Sequence, residues 1–596
     1  MERISILWIV LAAIFLARPV LGIDDTRERI YDALEKSPLT PFEKIQHVFN
    51  RLGYGTNASN LRADWFILRR SDNSIDVQAT NFILAGYIQR MLGRRSKNQA
   101  VIQEKVESLY PLAGSNYGEI ITVCINSETE IGNSKRQIDA ILKGGGTPPK
   151  SLYDFLLAAR SRYMQFRNGL IHAEQAENFL YATLDNSPLF WVMLDFWFNH
   201  FNVFGEKVSP DISDYRNAIA SHMFGKFSDL LLVTAHHPGM LIYLDNYLNH
   251  VVKLSNGKVL PKLNENYGRE VIELHSLGVA ASDTSTDATY NQGDVVEAAK
   301  ILTGWGIKKE AGVGRYFFFS PTTHYPGPKT VMRHTFEEGE QGGIDFLHFL
   351  AQHPKTSKNI ARKLTRVFIT EDLSSEMGQS AVQRLTDSMK IPDATLLDIY
   401  VDMLSSPEFW SRDAYRAKVK QPLRFVSSAL RAVGYNIDTI QRGQVEDGLS
   451  TMKSMGQKLF YYVFPTGFPQ NSVIWGSTSA AMASVRYGFQ IAGYHGPQDS
   501  ARAEQYQNWE SYAQSVFYSP NKMGKRGKAG FEVIFDFLPF NSRYHFPVDL
   551  IDGDGAFVVG GASPDRTSSN PILFRNYLPL RTISGMAIGS ADFLKF

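Results

Sequence analysis

The stretch that most constrains the fold is 189–206, which reads Leu-Phe-Trp-Val-Met-Leu-Asp-Phe-Trp-Phe-Asn-His-Phe-Asn-Val-Phe-Gly-Glu. Its side chains are apolar on nearly every face of a helix, and a helix of that kind is buried. The polar exceptions recur at i, i+4, i+7 and i+11 and share one side of the predicted helix: Asp195, Asn199, Asn202 and Glu206. The rest of the chain must therefore surround this segment.

Most of the remaining sequence is also patterned as helix. Apolar residues recur with helical spacing from Asp24 to about Asn186 and again from Gly343 to Gly456. Prolines stand where helices would begin, namely Pro41, Pro354, Pro407 and Pro422. The stretch 143–150 is rich in Gly and Pro and predicts a surface loop. We therefore predict an all-α fold, a large multi-helix bundle with one short β-hairpin near 315–333 and a less regular C-terminal region.

The predicted domain organisation has three parts. Residues 1–22 are typical of a signal peptide, because Arg3 precedes a short apolar run from Ile4 to Ala17. Residues 23–480 form the predicted helical core, and residues 481–596 a C-terminal region packed on it. An uncleaved anchor is the alternative for residues 1–22, although the run is short for a bilayer. We expect an exported protein, periplasmic or extracellular, with no stable membrane span after cleavage.

Composition excludes one class of partner and one kind of crosslink. The chain of 596 residues has 62 Lys and Arg against 60 Asp and Glu. This balance argues against a nucleic-acid-binding surface spread over the whole protein. Cys124 is the single cysteine, so no intrachain disulfide can form, and its apolar neighbours predict that it is buried.

The stretch from Asn264 to Gly278 is the strongest candidate for a functional helix. Asn264 is suited to the N-cap and Gly278 to the residue that ends the helix. One predicted face is apolar, with Tyr267, Val271 and Leu274, and the other is polar, with Asn266, Arg269, Glu270 and Glu273. Two carboxylates one turn apart can perform general acid–base chemistry or hold a divalent metal. They can equally form a structural ion network.

A metal site here would need a histidine from another element. Glu273 and His275 are two positions apart and diverge by about 200° on a helix. The candidate histidines are His200, His236, His237 and His324. For His200 we favour a core histidine bonded to a carbonyl. Asp245 and Asn246 could belong to a site or be ordinary polar groups on a helix surface.

By this point the motifs resemble those of one bacterial family, the domain of unknown function 1800. The matching segments run in the family's order over roughly residues 42–590: Trp197–Phe201, His237–Asn246, Asn264–Gly278, Asp294–Trp305, His353-Pro354, Arg362–Phe368, Lys420–Pro422 and Pro465–Pro469 followed by Trp475. The sequence departs from the family's pattern at Tyr325, because an Asp usually follows the residue corresponding to His324. A role that rests on that Asp does not carry over to this chain.

The resemblance implies a mostly helical exported protein and leaves its activity unassigned. Such proteins are often encoded beside a second exported protein that resembles alkaline phosphatases and sulfatases. This association implies a shared role in processing an envelope or extracellular polymer such as a polysaccharide. The phosphatase- or sulfatase-like protein is therefore a candidate partner.

No established catalytic signature is present, so whether the chain is an enzyme stays open. The first hypothesis is a hydrolase or lyase with Glu270 or Glu273 as acid or base. The alternatives are a non-catalytic partner or scaffold for an exported enzyme and a glycan-binding protein, the last suggested by 12% aromatic residues and the basic loop Lys522–Lys528. The candidate catalytic residues are Glu270, Glu273, His275 and Arg269. The candidate binding residues are Asn264, Asn266, Asp195, Asn199, His200, His237, Asp245, Asn246, Trp305 and His324.

We also predict that the two singled-out helices pack against each other. Buried polar groups need partners, because an unpaired one costs roughly 1–3 kcal/mol. The polar face that contains Arg269 could supply partners for Asp195 or Glu206. A buried polar layer between the helices is the expected result.

Overall fold

The computed structural model describes residues 23–491, apart from 56–66, 69, 73, 93–97, 257, 280–288 and 433. The predicted signal peptide and the basic loop Lys522–Lys528 lie outside the described residues, as does nearly all of 481–596. A helix over Thr478–Ile491 runs across the predicted boundary at residue 480.

Helices account for most of the described chain, which confirms the all-α prediction. In the first half they are α1 (Ile23–Lys36), α2 (Pro41–Arg51), α3 (Val77–Met91), α4 (Gln99–Leu109), α5 (Tyr117–Lys143), α6 (Lys150–Leu184), α7 (Leu189–His200), α8 (Gly205–Val208), α9 (Ile212–His222), α10 (Phe227–His236) and α11 (Pro238–Tyr243). The second half contains α12 (Asn266–Ile272), α13 (Gln292–Ile301), α14 (Glu340–Gln352), α15 (Pro354–Phe368), α16 (Glu376–Met389), α17 (Leu396–Leu404), α18 (Pro422–Ala432), α19 (Arg442–Ser454), α20 (Ser472–Trp475) and α21 (Thr478–Ile491).

Several helix ends follow directly from local sequence chemistry. Pro41, Pro354 and Pro422 each open a helix, as predicted, because the first turn does not need their missing N–H. Thr40 caps α2, and Glu43 returns the bond in a capping box. The prediction for Pro407 is wrong, since it lies where the chain turns after α17. The predicted surface loop separates α5 from α6.

The predicted strand pairing is wrong in detail. Instead of one hairpin over 315–333, the described residues form three two-stranded antiparallel hairpins: β1 (His250–Lys253) with β2 (Val259–Lys262), β3 (Trp305–Glu310) with β4 (Gly314–Phe319), and β5 (Lys329–Val331) with β6 (His334–Phe336). The residues predicted as partners therefore belong to different hairpins. Their tight turns, at Gly312 and at Met332-Arg333, have positive φ and allow each strand to pair with its nearest neighbour in sequence.

Helix α7 lies in the main hydrophobic core, as its composition predicts. The predicted helix over 189–206 is too long, however, because α7 ends at His200. The Asn202 side-chain amide donates to the carbonyls of Tyr462 and Phe464, and Gly205 N–H donates to the carbonyl of Phe460. These long-range bonds draw the chain out of the helical path, and α8 starts on a new axis.

None of the helices in the described ranges is long and apolar enough to cross a membrane. Cys124 is buried, as predicted, and burial raises the pKa of its thiol. It belongs to a small separate cluster with Ile120 and Leu170, where α5 and α6 pack together.

The β3–β4 hairpin docks on α5 at Gly118. A Cβ added there would overlap the Gly312 carbonyl group, whereas a Cβ at Gly132, farther along α5, would have Arg136 Nη1 at 3.8 Å as its nearest neighbour. The two glycines therefore differ in the space around them while sharing one helix.

We predict opposite effects for alanine at these two positions. Gly118→Ala should lower the free energy of unfolding by about 1–3 kcal/mol, because the hairpin must shift. Gly132→Ala, the matched control, should leave it unchanged or raise it by about 0.5–1 kcal/mol through helix propensity. Urea unfolding of both variants measures the difference. Equal stabilities would contradict the close contact at Gly118.

Candidate functional site

The candidate helix begins later than predicted, ends at Gly278 as predicted, and changes type in the middle. Its N-cap is Glu265 rather than Asn264, although Asn264 Oδ1 accepts a bond from Asn266 N–H at 3.0 Å. Regular α-helix ends at Ile272 and continues as a π-helical turn, Glu273–Leu277. Gly278 then ends the element with φ 92°, the positive value that favours glycine. π-Helical turns are frequent at functional sites.

Arg269 organises the polar face of α12. Its guanidinium donates to Glu273 Oε1 at 3.0 Å and to Gln292 Oε1 at 2.5 Å, and it lies 4.0 Å from Glu265 Oε2. Gln292 in turn donates to Glu265 at 2.6 Å. Asn266 is exposed at the start of the same face. This part of the predicted site is therefore an ion-paired network close to solvent.

Glu270 differs from its neighbours on that face. It is partly buried, and its carboxylate has no hydrogen-bond partner among the residues that the structure describes. Burial raises the pKa of Glu270 to about 7, the Glu273 carboxylate adds to the rise, and Arg269 opposes it. At neutral pH this carboxyl is therefore populated in both protonation states, which is the requirement for general acid–base catalysis.

Tyr243 joins Glu270 to the C-terminal part of the described chain. Burial raises the pKa of Tyr243, the nearby Glu270 charge adds to the rise, and a hydrogen bond from Asn202 opposes it. The Tyr243 hydroxyl donates to the Val463 carbonyl at 2.6 Å. Tyr243 therefore both senses the Glu270 charge and holds the backbone at Val463.

His275 and His200 are core residues. His275 is 1% exposed, and burial lowers its pKa to about 3. The π-helical turn directs its carbonyl toward His200, whose Nε2 donates to it at 3.2 Å. This confirms the prediction that His200 is a core histidine bonded to a carbonyl. The other ring nitrogen of His200 accepts a bond from Lys363 Nζ at 2.9 Å, and Lys363 also donates to the Leu274 carbonyl.

His324 repeats this arrangement in another part of the fold. Its Nδ1 donates to the Thr303 carbonyl at 2.7 Å, and its Nε2 accepts from Lys329 Nζ at 2.8 Å. Burial lowers the pKa of Lys329 to about 8, as it lowers the pKa of Lys363 to about 7. At Tyr325, where the family's usual Asp is missing, the ring lies 5.0 Å from the Lys300 ammonium.

The adjacent His236 and His237 have different surroundings. His237 Nδ1 caps α11 by accepting from Gly239 N–H, and its Nε2 donates to Asp214 at 3.0 Å. His236 stacks on Phe317, with ring centroids 4.0 Å apart, and lies against the buried Trp305. Burial lowers the pKa of His236 to about 4. Within the described part of the chain, the contacts of both rings are therefore with residues other than Glu270.

The predicted polar residues before α12 mainly hold the backbone. The Asn246 amide is buried and donates to the carbonyls of Leu302 and Trp305. Asp245 adopts φ 57° and pairs with Lys207 at 2.8 Å. Asn264 donates to the Asp245 carbonyl at 3.3 Å. These contacts fix the approach of the chain to α12.

The predicted contact between the polar side of α7 and the polar face of α12 is wrong. Asp195 accepts bonds from Tyr54 and Asn178, and Arg269 makes its bonds on its own face. Glu206 is exposed at the start of α8. The pairing fails because α7 ends before Glu206 and because residues far along the chain reach its polar side first.

Three of the four stripe residues nevertheless line one cavity, namely Asp195, Asn199 and Asn202. Asn199 pairs with the Phe468 backbone, accepting from its N–H at 2.6 Å and donating to its carbonyl at 3.0 Å. The remaining polar lining includes Lys418 and Arg424, which sequence reasoning missed. In the sequence these two residues flank the motif Lys420-Gln-Pro422 of the family resemblance, and helical spacing does not indicate which distant residues they would face.

The described residues contain no group of three or more His, Cys, Asp or Glu side chains placed to hold a metal ion. Glu270 and Glu273 thus have no third ligand of these types within the part of the chain that can be described. The structure brings together Arg269, Glu270, Glu273 and Tyr243, places His200 with His275, and separates both groups from His324.

Comparison with known proteins identifies the family. The family model described as protein of unknown function (DUF1800) matches residues 47–550, which is most of the chain. No curated protein matches, and no solved structure matches. The match agrees with the motifs at Trp197–Phe201 and Asn264–Gly278. The chain belongs to the DUF1800 family.

Proposed function

We propose that this protein is an exported hydrolase or lyase that acts on an envelope or extracellular polymer, with Glu270 as its general acid or base. The observation that carries the proposal is the Glu270 carboxyl, which is partly buried, has no hydrogen-bond partner among the described residues and has a pKa of about 7. Most carboxyls are fully ionised at neutral pH and cannot donate a proton. Glu270 is partly protonated at this pH and can therefore donate one.

Glu273 and Arg269 have positioning roles in this proposal. Their charges act on Glu270 in opposite directions, since the Glu273 carboxylate favours the protonated form and the Arg269 guanidinium favours the ionised form. The 3.0 Å bond between them fixes both groups relative to Glu270. Two carboxyls held at one site are typical of enzymes that cleave glycosidic bonds.

Exposed apolar side chains near Tyr243 support a large substrate. The pKa of Tyr243 is raised in part by the Glu270 charge, its hydroxyl donates to the Val463 carbonyl, and the side chains of Val463 and Phe464 are 55% and 63% exposed. Neighbouring exposed apolar side chains often mark a binding surface. Export and a polymer substrate rest on the predicted signal peptide and on the family's association with an exported phosphatase- or sulfatase-like protein.

A second candidate function has a specific observation in its favour. Arg269, Glu273, Glu265 and Gln292 form a connected network at the surface of α12, which a non-catalytic partner or scaffold would also contain. In that function Glu270 would be a structural residue. A screen for turnover of polysaccharides separates the two candidate functions.

The direct experiment is a screen of the purified protein on envelope and extracellular polysaccharides. It is run with and without the co-exported phosphatase- or sulfatase-like protein, with and without added divalent metal, and products are detected by size and by new chain ends. Turnover by the isolated protein supports the enzyme proposal. Turnover that depends wholly on the second protein and is unchanged by Glu270→Gln supports the scaffold function.

We predict that Glu270→Gln lowers the turnover rate by about 10²–10⁴-fold, because an amide cannot transfer the proton. Glu310→Gln, which alters an exposed glutamate on β3, serves as the matched control and should retain the original rate. Rates are compared under identical conditions, after thermal melts confirm that both variants are folded. A Glu270→Gln variant as active as the control would contradict the proposed role.

We also predict that Glu270→Gln changes stability in a pH-dependent way. The folded-state pKa of Glu270 is raised, so ionisation opposes folding, and the protein loses stability as the pH rises from about 4.5 through about 7. Removing the carboxyl should therefore raise the melting temperature more at about pH 8 than at about pH 4. Melts of Glu270→Gln and Glu310→Gln at both pH values test this. A large loss of stability at both would indicate a structural bond instead.

A further inference from the structure

A cavity of about 80 Å³ lies between the polar side of α7 and the segment 457–475. It is separate from the acid–base site, because its described lining residues do not include Glu270, Glu273 or Arg269. Its polar and charged lining residues include Asn178, Asp195, Lys418, Gln421, Arg424 and Gln457.

The cavity wall provides hydrogen-bond donors that are not fully used. Gln457 is 6% exposed, and its Oε1 accepts from Leu423 N–H at 2.8 Å. Because a backbone N–H requires an acceptor, this bond fixes the orientation of the amide, and its NH₂ has no partner among the described residues. Lys418 Nζ donates to the Arg366 carbonyl and to Glu371, which leaves one of its three N–H groups available.

The charges in the wall also favour an anion. Lys418 and Arg424 bring positive charge to the cavity, and burial lowers the pKa of Lys418 to about 8 although Glu371 pairs with it. The one carboxyl among the lining residues, Asp195, already accepts from Tyr54 and Asn178, and burial raises its pKa. Buried positive charge is costly unless a negative group compensates it.

The volume suits a small anion. The space of about 80 Å³ is sufficient for inorganic phosphate or a short carboxylate. The polar lining distinguishes this cavity from the apolar voids that remain empty.

The backbone of the cavity wall is strained at Phe460, which supports a binding site here. Phe460 adopts φ 63°, which is a rare and strained conformation for a bulky residue. Its carbonyl accepts from Gly205 N–H at 2.7 Å, which helps to hold this conformation. Such strained residues occur most often at binding and catalytic sites.

The segment 462–468 leads to Phe468, which lines the cavity. Asn202 holds the start of this segment through two backbone carbonyls, and Asn199 holds its end through Phe468. Gly467, between these points, has φ 68°, and an added Cβ would overlap the Asn199 carbonyl oxygen. The polar side of α7 thus fixes the position of Phe468 and also forms part of the cavity wall.

We propose that this cavity is a binding site for a small oxyanion, either phosphate or a short carboxylate, with Lys418 and Gln457 as donors to it. Both anions accept charge-assisted hydrogen bonds from N–H groups, and the wall provides such donors. The site goes beyond the proposed acid–base function and does not depend on it.

The test is isothermal titration calorimetry of the purified full chain with sodium phosphate and with sodium acetate at constant ionic strength. We expect saturable binding of one or both anions, and the tighter one identifies the ligand class. Gln457→Glu should weaken binding at least about tenfold, because it places a negative charge in the wall while keeping the oxygen that accepts from Leu423 N–H. Lys390→Met, which removes an exposed lysine near the end of α16, is the control and should bind like the original protein.

Thermal melts with the same anions provide the second measurement. Phosphate also stabilises folded proteins by exclusion from their surfaces, so only the difference between Gln457→Glu and the control reports on the site. No saturable heat with either anion, or equal binding by Gln457→Glu and the control, would overturn the proposal and leave a water-filled cavity.

Discussion

The interaction on which the rest of the structure depends is the burial of α7 together with its polar side. An apolar helix in the core is stabilised by roughly 25 cal/mol for each Å² of apolar surface removed from water. That gain would be offset if Asp195 or Asn199 were left without partners in the core. Tyr54 and Asn178 provide them from the N-terminal half and the Phe468 backbone from the C-terminal half. Helix α7 therefore joins regions of the chain that are more than 260 residues apart in sequence.

A second recurring device is the buried pairing of lysine with neutral histidine. In both pairs, Lys363 with His200 and Lys329 with His324, one ring nitrogen donates to a backbone carbonyl and the other accepts from the ammonium. Both pairs use histidine as a fixed neutral link, because burial lowers the pKa of each ring. Several histidines that looked like metal ligands in the sequence are thus engaged in holding backbone.

Local features were predictable from the sequence, whereas long-range partners were not. The opening of α2 at Pro41, the opening of α15 at Pro354 and the burial of α7 follow from nearby residues. The end of α7 at His200 does not, because it depends on bonds from Asn202 to residues more than 250 positions later. Helical periodicity places Asp195 and Asn199 on one side of α7 and marks them as candidate site residues. It does not indicate that Lys418 and Arg424 line the same cavity. The π-helical turn after Ile272 has no recognisable sequence pattern, and it determines where His275 points.

The segment 462–468 is tied to two regions of the structure. Asn202 hydrogen-bonds its start, its last residue Phe468 lines the cavity, and Tyr243, which senses the Glu270 charge, donates to the Val463 carbonyl. The polar side of α7 holds this segment in place.

Hydrogen–deuterium exchange of the Phe468 amide in Asn199→Ala tests this most directly. The amide donates to Asn199 Oδ1 in the original protein. Its exchange should accelerate about tenfold or more in the variant, since loss of one bond of about 1.4 kcal/mol changes an opening equilibrium by that factor, while the amides of α6 stay protected. Unchanged exchange at Phe468 would contradict the account.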